Sequence, residues 1–160
     1  MKKHLYTAIA ILAFFAKAFA QPANDNCSTA TSIGSLPTPV ACPTGTGATV
    51  TYTGTTVAGT ASSPYPYMVG CSTGGSQQSP GIDVWYSFVA TGTDLHLTLN
   101  SSFASPNVGL WSGSCASLSG VDCMKGSAGG VLTYTNVSMT PGQTYLIQKS
   151  NPDREPRMEQ

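Results

Sequence analysis

Ile82-Asp83-Val84-Trp85-Tyr86-Ser87-Phe88-Val89, then Thr91-Gly92-Thr93, then Leu95-His96-Leu97-Thr98-Leu99 is the stretch whose reading settles the fold class. The first octet is dense in β-branched and aromatic residues, which favour extended backbone. Val84, Tyr86 and Phe88 alternate with Asp83, Trp85 and Ser87, so large side chains emerge on both faces, as suits a strand of a two-layer sandwich. The second segment alternates strictly. Leu95, Leu97 and Leu99 should face a core, and His96, Thr98 and Asn100 the opposite side. The short polar link between the two segments predicts a hairpin.

Further along the chain, three more strands are expected at Asn107-Trp111, Val131-Val137 and Gln143-Gln148, each bounded by turn residues: Ser112-Gly113, Gly129-Gly130 and Pro141-Gly142. Thr140-Pro141-Gly142-Gln143 reads as a hairpin turn, with Leu132, Tyr134, Tyr145 and Ile147 lining the sheet that faces the first octet. Upstream, Asn24 to Pro80 is rich in Thr, Ser, Gly and Pro, with one possible strand pair, Ala48-Thr53 and Thr55-Thr60, around Gly54. Regular Gly and Pro punctuation works against helices. Several short strands at this spacing indicate an all-β fold, an antiparallel β-sandwich. Residues 21–149 form one module, loop-rich over 21–80.

Composition supports a small neutral globule. Ser, Thr and Gly supply 56 of 160 residues, and Asp, Glu, Lys and Arg only 14, with 41% hydrophobic residues and no net charge. The apolar share is too high for a disordered polar chain, and the low charge argues against a nucleic-acid binder.

Both termini depart from this pattern. Lys2 and Lys3 precede an apolar run from Leu5 to Ala16, and Ala18-Phe19-Ala20 is the small-x-small pattern of a signal-peptidase site, so residues 1–20 read as a secretory signal peptide. Lys17 ends the run well short of the roughly 20 residues needed to span a bilayer. Once 1–20 is removed, four basic residues (Lys125, Lys149, Arg154, Arg157) face seven acidic ones, a net charge of −3. Clustered cations for phosphate backbones or anionic lipid are lacking, which implies no nucleic-acid partner and no membrane insertion after cleavage. At the other end, Ser150 to Gln160 packs five charges into 11 residues, against six in Gln21 to Lys149. Residues 150–160 therefore read as a disordered or foreign tail.

Five cysteines in an exported chain point to disulfides. Cys115 and Cys123 flank a short Gly/Ser-rich stretch and are the expected pair. Cys27 with Cys42, or either with Cys71, could give a second bridge, with one thiol left over. Close CxxC or His spacing for zinc is absent.

Catalytic motifs are weak. Gly70-Cys71-Ser72-Thr73-Gly74 matches G-x-S-x-G, but a nucleophile elbow needs a helix next, and Gly75 to Gly81 cannot form one. His96 is the single histidine after residue 20, and no pair among Asp25, Asp83, Asp94 and Asp122 stands out for glycoside cleavage. Neither a catalytic residue nor a cofactor is expected. Asn26-Cys27-Ser28, Asn100-Ser101-Ser102 and Asn136-Val137-Ser138 fit the glycosylation sequon. Tyr65, Tyr67 and Trp111 are loop aromatics able to contact a ligand by stacking on sugar rings, or to cover the core's edge.

Four stretches taken in order carry a family resemblance: Pro22-Ala23-Asn24-Asp25-Asn26-Cys27, Asp83 to Phe88, Gly109-Leu110-Trp111-Ser112-Gly113-Ser114-Cys115, and Leu132 through Thr140-Pro141-Gly142-Gln143-Thr144-Tyr145-Leu146-Ile147. Over about residues 22–148 the chain resembles the pre-peptidase C-terminal (PPC)-like β-sandwich module of secreted bacterial proteins, often exported by the type IX route. The resemblance implies a jelly-roll-like accessory or adhesion module within a larger multidomain protein, meeting an extracellular protein or glycan surface. A carbohydrate-binding module is the alternative. Two departures are visible. Asp122-Cys123-Met124-Lys125 offers one carboxylate where relatives carry an acidic run, too few oxygens for calcium. The family's last strand is replaced by the charged tail, which implies a sandwich lacking that strand.

Overall fold

The computed structural model describes residues 20–37, 50–63, 66, 81–102, 106–125 and 131–151. They contain one 3₁₀ turn, Cys27–Thr29, and seven strands: β1 (Thr31–Ser35), β2 (Ile82–Val89), β3 (Asp94–Asn100), β4 (Asn107–Ser114), β5 (Ser117–Lys125), β6 (Val131–Ser138) and β7 (Thr144–Asn151). Five strands form one sheet in the order β1-β2-β7-β4-β5, and β3 and β6 form a second. The chain is an all-β sandwich, as its alternation requires.

Burial on both faces sends β2 and β7 to the middle of the large sheet. They pair antiparallel over their whole length, from Ile82 with Asn151 to Val89 with Thr144. Phe88, Val108, Leu110, Tyr145 and Ile147 turn inward and meet Leu95, Leu132, Val137 and Met139. Phe88 and Tyr145 stack, with ring centroids 5.8 Å apart and planes 22° from parallel. Each such buried side chain stabilises the fold by roughly 1.5–3 kcal/mol through loss of apolar surface to water. Leu95 is buried while Asp94, His96, Thr98 and Asn100 are exposed, the alternation expected for β3.

The expected hairpins are not formed. β2 pairs with β1 and β7, and β3 pairs with β6, so 90–93 crosses from one sheet to the other. The link 139–143 crosses back beside it: Met139 N donates to Thr93 O (2.7 Å), Gly142 N to Ala90 O (2.7 Å) and Ala90 N to Gln143 O (3.0 Å). A strand with one apolar face lowers its free energy by facing the two-sided β2 across the core rather than extending the same sheet. Thr140-Pro141-Gly142-Gln143 is a turn as expected, with Gln143 N on Thr140 O (3.1 Å) and Gly142 at φ +81°, the left-handed third position of a type II turn. Consequently Tyr145 and Ile147 lie in the same sheet as β2, and Leu132 in the sheet opposite.

Three other expectations change. Residues 50–60 hold no strand; 48 and 49 lie outside the described residues. β5 has no counterpart among the expected strands, because its residues read as a Gly/Ser-rich turn. Ser150 and Asn151, assigned from sequence to a disordered tail, end β7 and are buried, paired with Asp83, Asn107 and Ile82. Since β2 and β4 flank β7 on both sides, no later strand can join it there. Residues 152–160 lie outside the described residues.

Candidate functional site: the strapped outer face of the large sheet

The outward-facing residues of the large sheet form a second core. Trp85 of β2, Trp111 of β4 and Leu146 of β7 are 0%, 4% and 6% exposed and pack together, with Cys27, Ala30 and Leu118 against them. A face this apolar has to be covered. The chain covers it with its own N-terminal segment, residues 20–30, and with residues 56–63.

This strap is built onto the edge of β2. Strand β1 pairs with the C-terminal half of β2, between Tyr86 and Val89. Further back, Trp85 N donates to Asn24 O (2.8 Å), Asn24 Nδ2 donates to Trp85 O (2.9 Å), and Asp83 N donates to Thr60 O (3.1 Å). Three separate segments thus satisfy the main-chain groups of one strand edge, which would otherwise be open to another chain.

Two buried carboxylates fasten the strap. Asp25, 2% exposed, accepts from Thr60 N (2.7 Å), Thr60 Oγ1 and Gln21 Nε2. Asp83, 0% exposed, accepts from Ser62 N (2.9 Å), Ser62 Oγ (2.7 Å) and Gln148 Nε2 (2.6 Å). Ser62 Oγ also accepts from Trp85 Nε1 (3.0 Å), so indole, hydroxyl and carboxylate form one relay. Burial raises the Asp83 carboxyl above its ordinary value; bonds from Ser62 and Gln148 oppose the shift, and the Asp25 charge adds to it. Every partner is an N–H or O–H donor. Donors turned toward both carboxylates suit a hydrogen-bonded lock and work against a bound cation.

A disulfide between Cys27 and Cys115 closes the strap over the sheet. The expected Cys115–Cys123 bond is therefore corrected. Cys123 is itself disulfide-bonded, but not to Cys115. Cys115 sits at the tip of the β4–β5 turn and Cys123 is six residues along β5 from Ser117, which places them on the order of 20 Å apart, well beyond bridging distance. The bridge, with Asn26, Ser28, Ser62, Ser63, Pro66, Trp85 and Leu118, lines an open cleft of about 200 Å³.

Of the aromatic residues expected to meet a ligand, Trp111 is buried in the outer core, its indole nitrogen above Gly109, and presents no face to solvent. Tyr65 and Tyr67 lie outside the described residues, as does the Gly70–Gly74 motif. His96 is exposed on β3, in the other sheet from Asp83. The lock itself is not legible in the sequence. Its one local signal is Asp83, the single charge in an octet of mostly apolar residues.

The chain matches no protein-family model, no curated protein and no solved structure.

Proposed function

We propose that the chain is a non-catalytic accessory or adhesion module of a secreted or cell-surface bacterial protein. It leaves the cell through the Sec route after loss of residues 1–20, with type IX export as the further step. It acts through its β-sandwich surface as part of a larger multidomain protein, toward an extracellular protein or glycan surface. The observation that carries this reading is the use made of Asp25 and Asp83. Two of the four aspartates before the tail, Asp25 and Asp83, are buried, accept hydrogen bonds from the strap and the sheet, and hold the strap in place rather than facing a substrate. The PPC-like resemblance of the ordered sequence blocks, with its jelly-roll-like architecture, supports the same reading.

The test pairs binding with turnover. The purified chain should adhere saturably to an extracellular matrix protein or a polysaccharide while leaving generic ester, peptide and glycoside substrates unconverted. Turnover that His96→Ala abolishes would overturn the reading.

A further inference from the structure

The loop 50–57 holds Val50, Tyr52 and Val57, which are 42%, 51% and 42% exposed and are the exposed large hydrophobic residues among those described. All three fall in one eight-residue segment, so the exposed large apolar side chains of the described residues are concentrated in this loop rather than scattered along the chain. The loop is also held fixed. Tyr52 Oη donates to Ser32 O (3.2 Å), and the Tyr52 ring meets Tyr86 edge-on, with centroids 6.3 Å apart and planes at 70°. Gly54 lies against the Tyr86 hydroxyl so closely that a Cβ there would stand 2.0 Å from it. Downstream, Gly59 N donates to Thr56 O (3.1 Å), and Thr60 is held by Asp25. Tyr52 is thus half exposed yet anchored through its hydroxyl and its ring, so little conformational freedom remains to be lost on binding.

The chemistry of the loop narrows the ligand. Residues 50–60 contain no charged side chain, and Thr51, Thr53 and Thr55, near Tyr52 in sequence, are exposed, the Thr55 hydroxyl also accepting from Val57 N (3.0 Å). An anionic ligand would find no cation here. A ligand with an apolar C–H face and a hydroxyl-bearing rim matches both the aromatic ring and its surroundings, and a sugar ring has that form. We infer that Tyr52, flanked by Val50 and the Thr51, Thr53 and Thr55 hydroxyls, is the contact platform for a neutral polysaccharide. This rests on the adhesion-module reading and gives it a ligand class. It also moves the carbohydrate-contact role from Trp111 to a residue that its sequence context does not single out.

The test is a pull-down of the full chain on insoluble cellulose, chitin, xylan, mannan and starch, with melting temperatures recorded for every variant. Wild type should bind at least one of these saturably. Tyr52→Ala should weaken that binding about tenfold or more, and Tyr52→Phe should retain it, since the ring rather than the hydroxyl meets the sugar. Should Tyr52→Ala fold poorly, Val50→Glu places a charge beside the ring while leaving the contacts to Ser32 and Tyr86 in place, and should weaken binding as strongly. Binding of wild type and both disruptive variants with equal affinity would overturn the inference and leave the adhesion module standing. So would saturable adhesion to an extracellular protein with no polysaccharide bound. Concentration-dependent dimerisation abolished by Tyr52→Ala, with no polysaccharide bound, would show the loop to be a self-contact and overturn it as well. Failure of the chain to bind any protein or polysaccharide would sink both the inference and the reading beneath it.

Discussion

Cys27 and Cys115, 88 residues apart in sequence, are joined by a disulfide with their Cα atoms 5.6 Å apart, so the N-terminal strap is covalently tied to the β4–β5 turn. In the chain-entropy account, closing a loop of that length stabilises the fold by about 4–5 kcal/mol. The double variant Cys27→Ser/Cys115→Ser should melt on the order of ten degrees or more below wild type. Non-reducing peptide mapping should recover the Cys27 and Cys115 peptides linked. A map that joins Cys115 to Cys123 instead would contradict the pairing.

The lock at Asp83 makes stability depend on pH in a defined direction. Burial raises its carboxyl above the ordinary 3.8, so the folded state favours the protonated form. Its contribution is complete below that ordinary value and is lost as pH rises through the raised one. Relative to Asp83→Asn, which cannot titrate, wild type should therefore gain stability as pH falls from neutrality toward 4. Melting curves of the two proteins across that range, differing by a pH-independent offset only, would refute the assignment.

Gly109 is the floor on which Trp111 rests. A Cβ at this position would stand 2.7 Å from Trp111 Nε1 and 3.2 Å from Cε2, and the indole is buried with little room to move. Gly109→Ala should cost about 1–3 kcal/mol by overpacking. It should also red-shift the fluorescence of the chain's two tryptophans, Trp85 and Trp111, as the outer core opens. An unchanged emission maximum and melting temperature would show that the indole yields freely.

At Gly142 the φ of +81° lies where side chains are disfavoured, although a methyl group there would meet nothing within 4 Å. Gly142→Ala should therefore destabilise by roughly 1–2 kcal/mol through backbone strain alone. Gly142→Asn, which tolerates the left-handed region better, should recover part of that loss in the same chemical denaturation series.

Strand identity is legible in the sequence because it depends on neighbours two residues apart. The alternation of Leu95, Leu97 and Leu99 and the two-sided octet from Ile82 to Val89 locate β3 and β2, and the Pro141-Gly142 pair locates a turn. β5 escapes for the same reason: Ser117 to Gly120 has no alternating apolar residues, and the strand forms because β4 offers it a partner. Which strands pair, and across which layer, depends on residues far apart in the chain. The short link after Val89 fits a hairpin and a sheet-to-sheet crossing equally well, and the crossing is chosen because Ala90 and Thr93 bond to the returning link at 139–143.

Residue type and period-two alternation suffice for an all-β chain, for the positions of most of its strands and for its scarcity of charge. Local pattern says nothing of the partner of Cys115, the burial of Trp111 or the exposure of Tyr52; long-range packing sets all three. Packing also brings Asp83 together with Ser62 and Gln148, 21 and 65 residues away. These outcomes depend on which surfaces the folded chain covers, and covering the apolar outer face of the large sheet recruits a strap from the far end of the sequence.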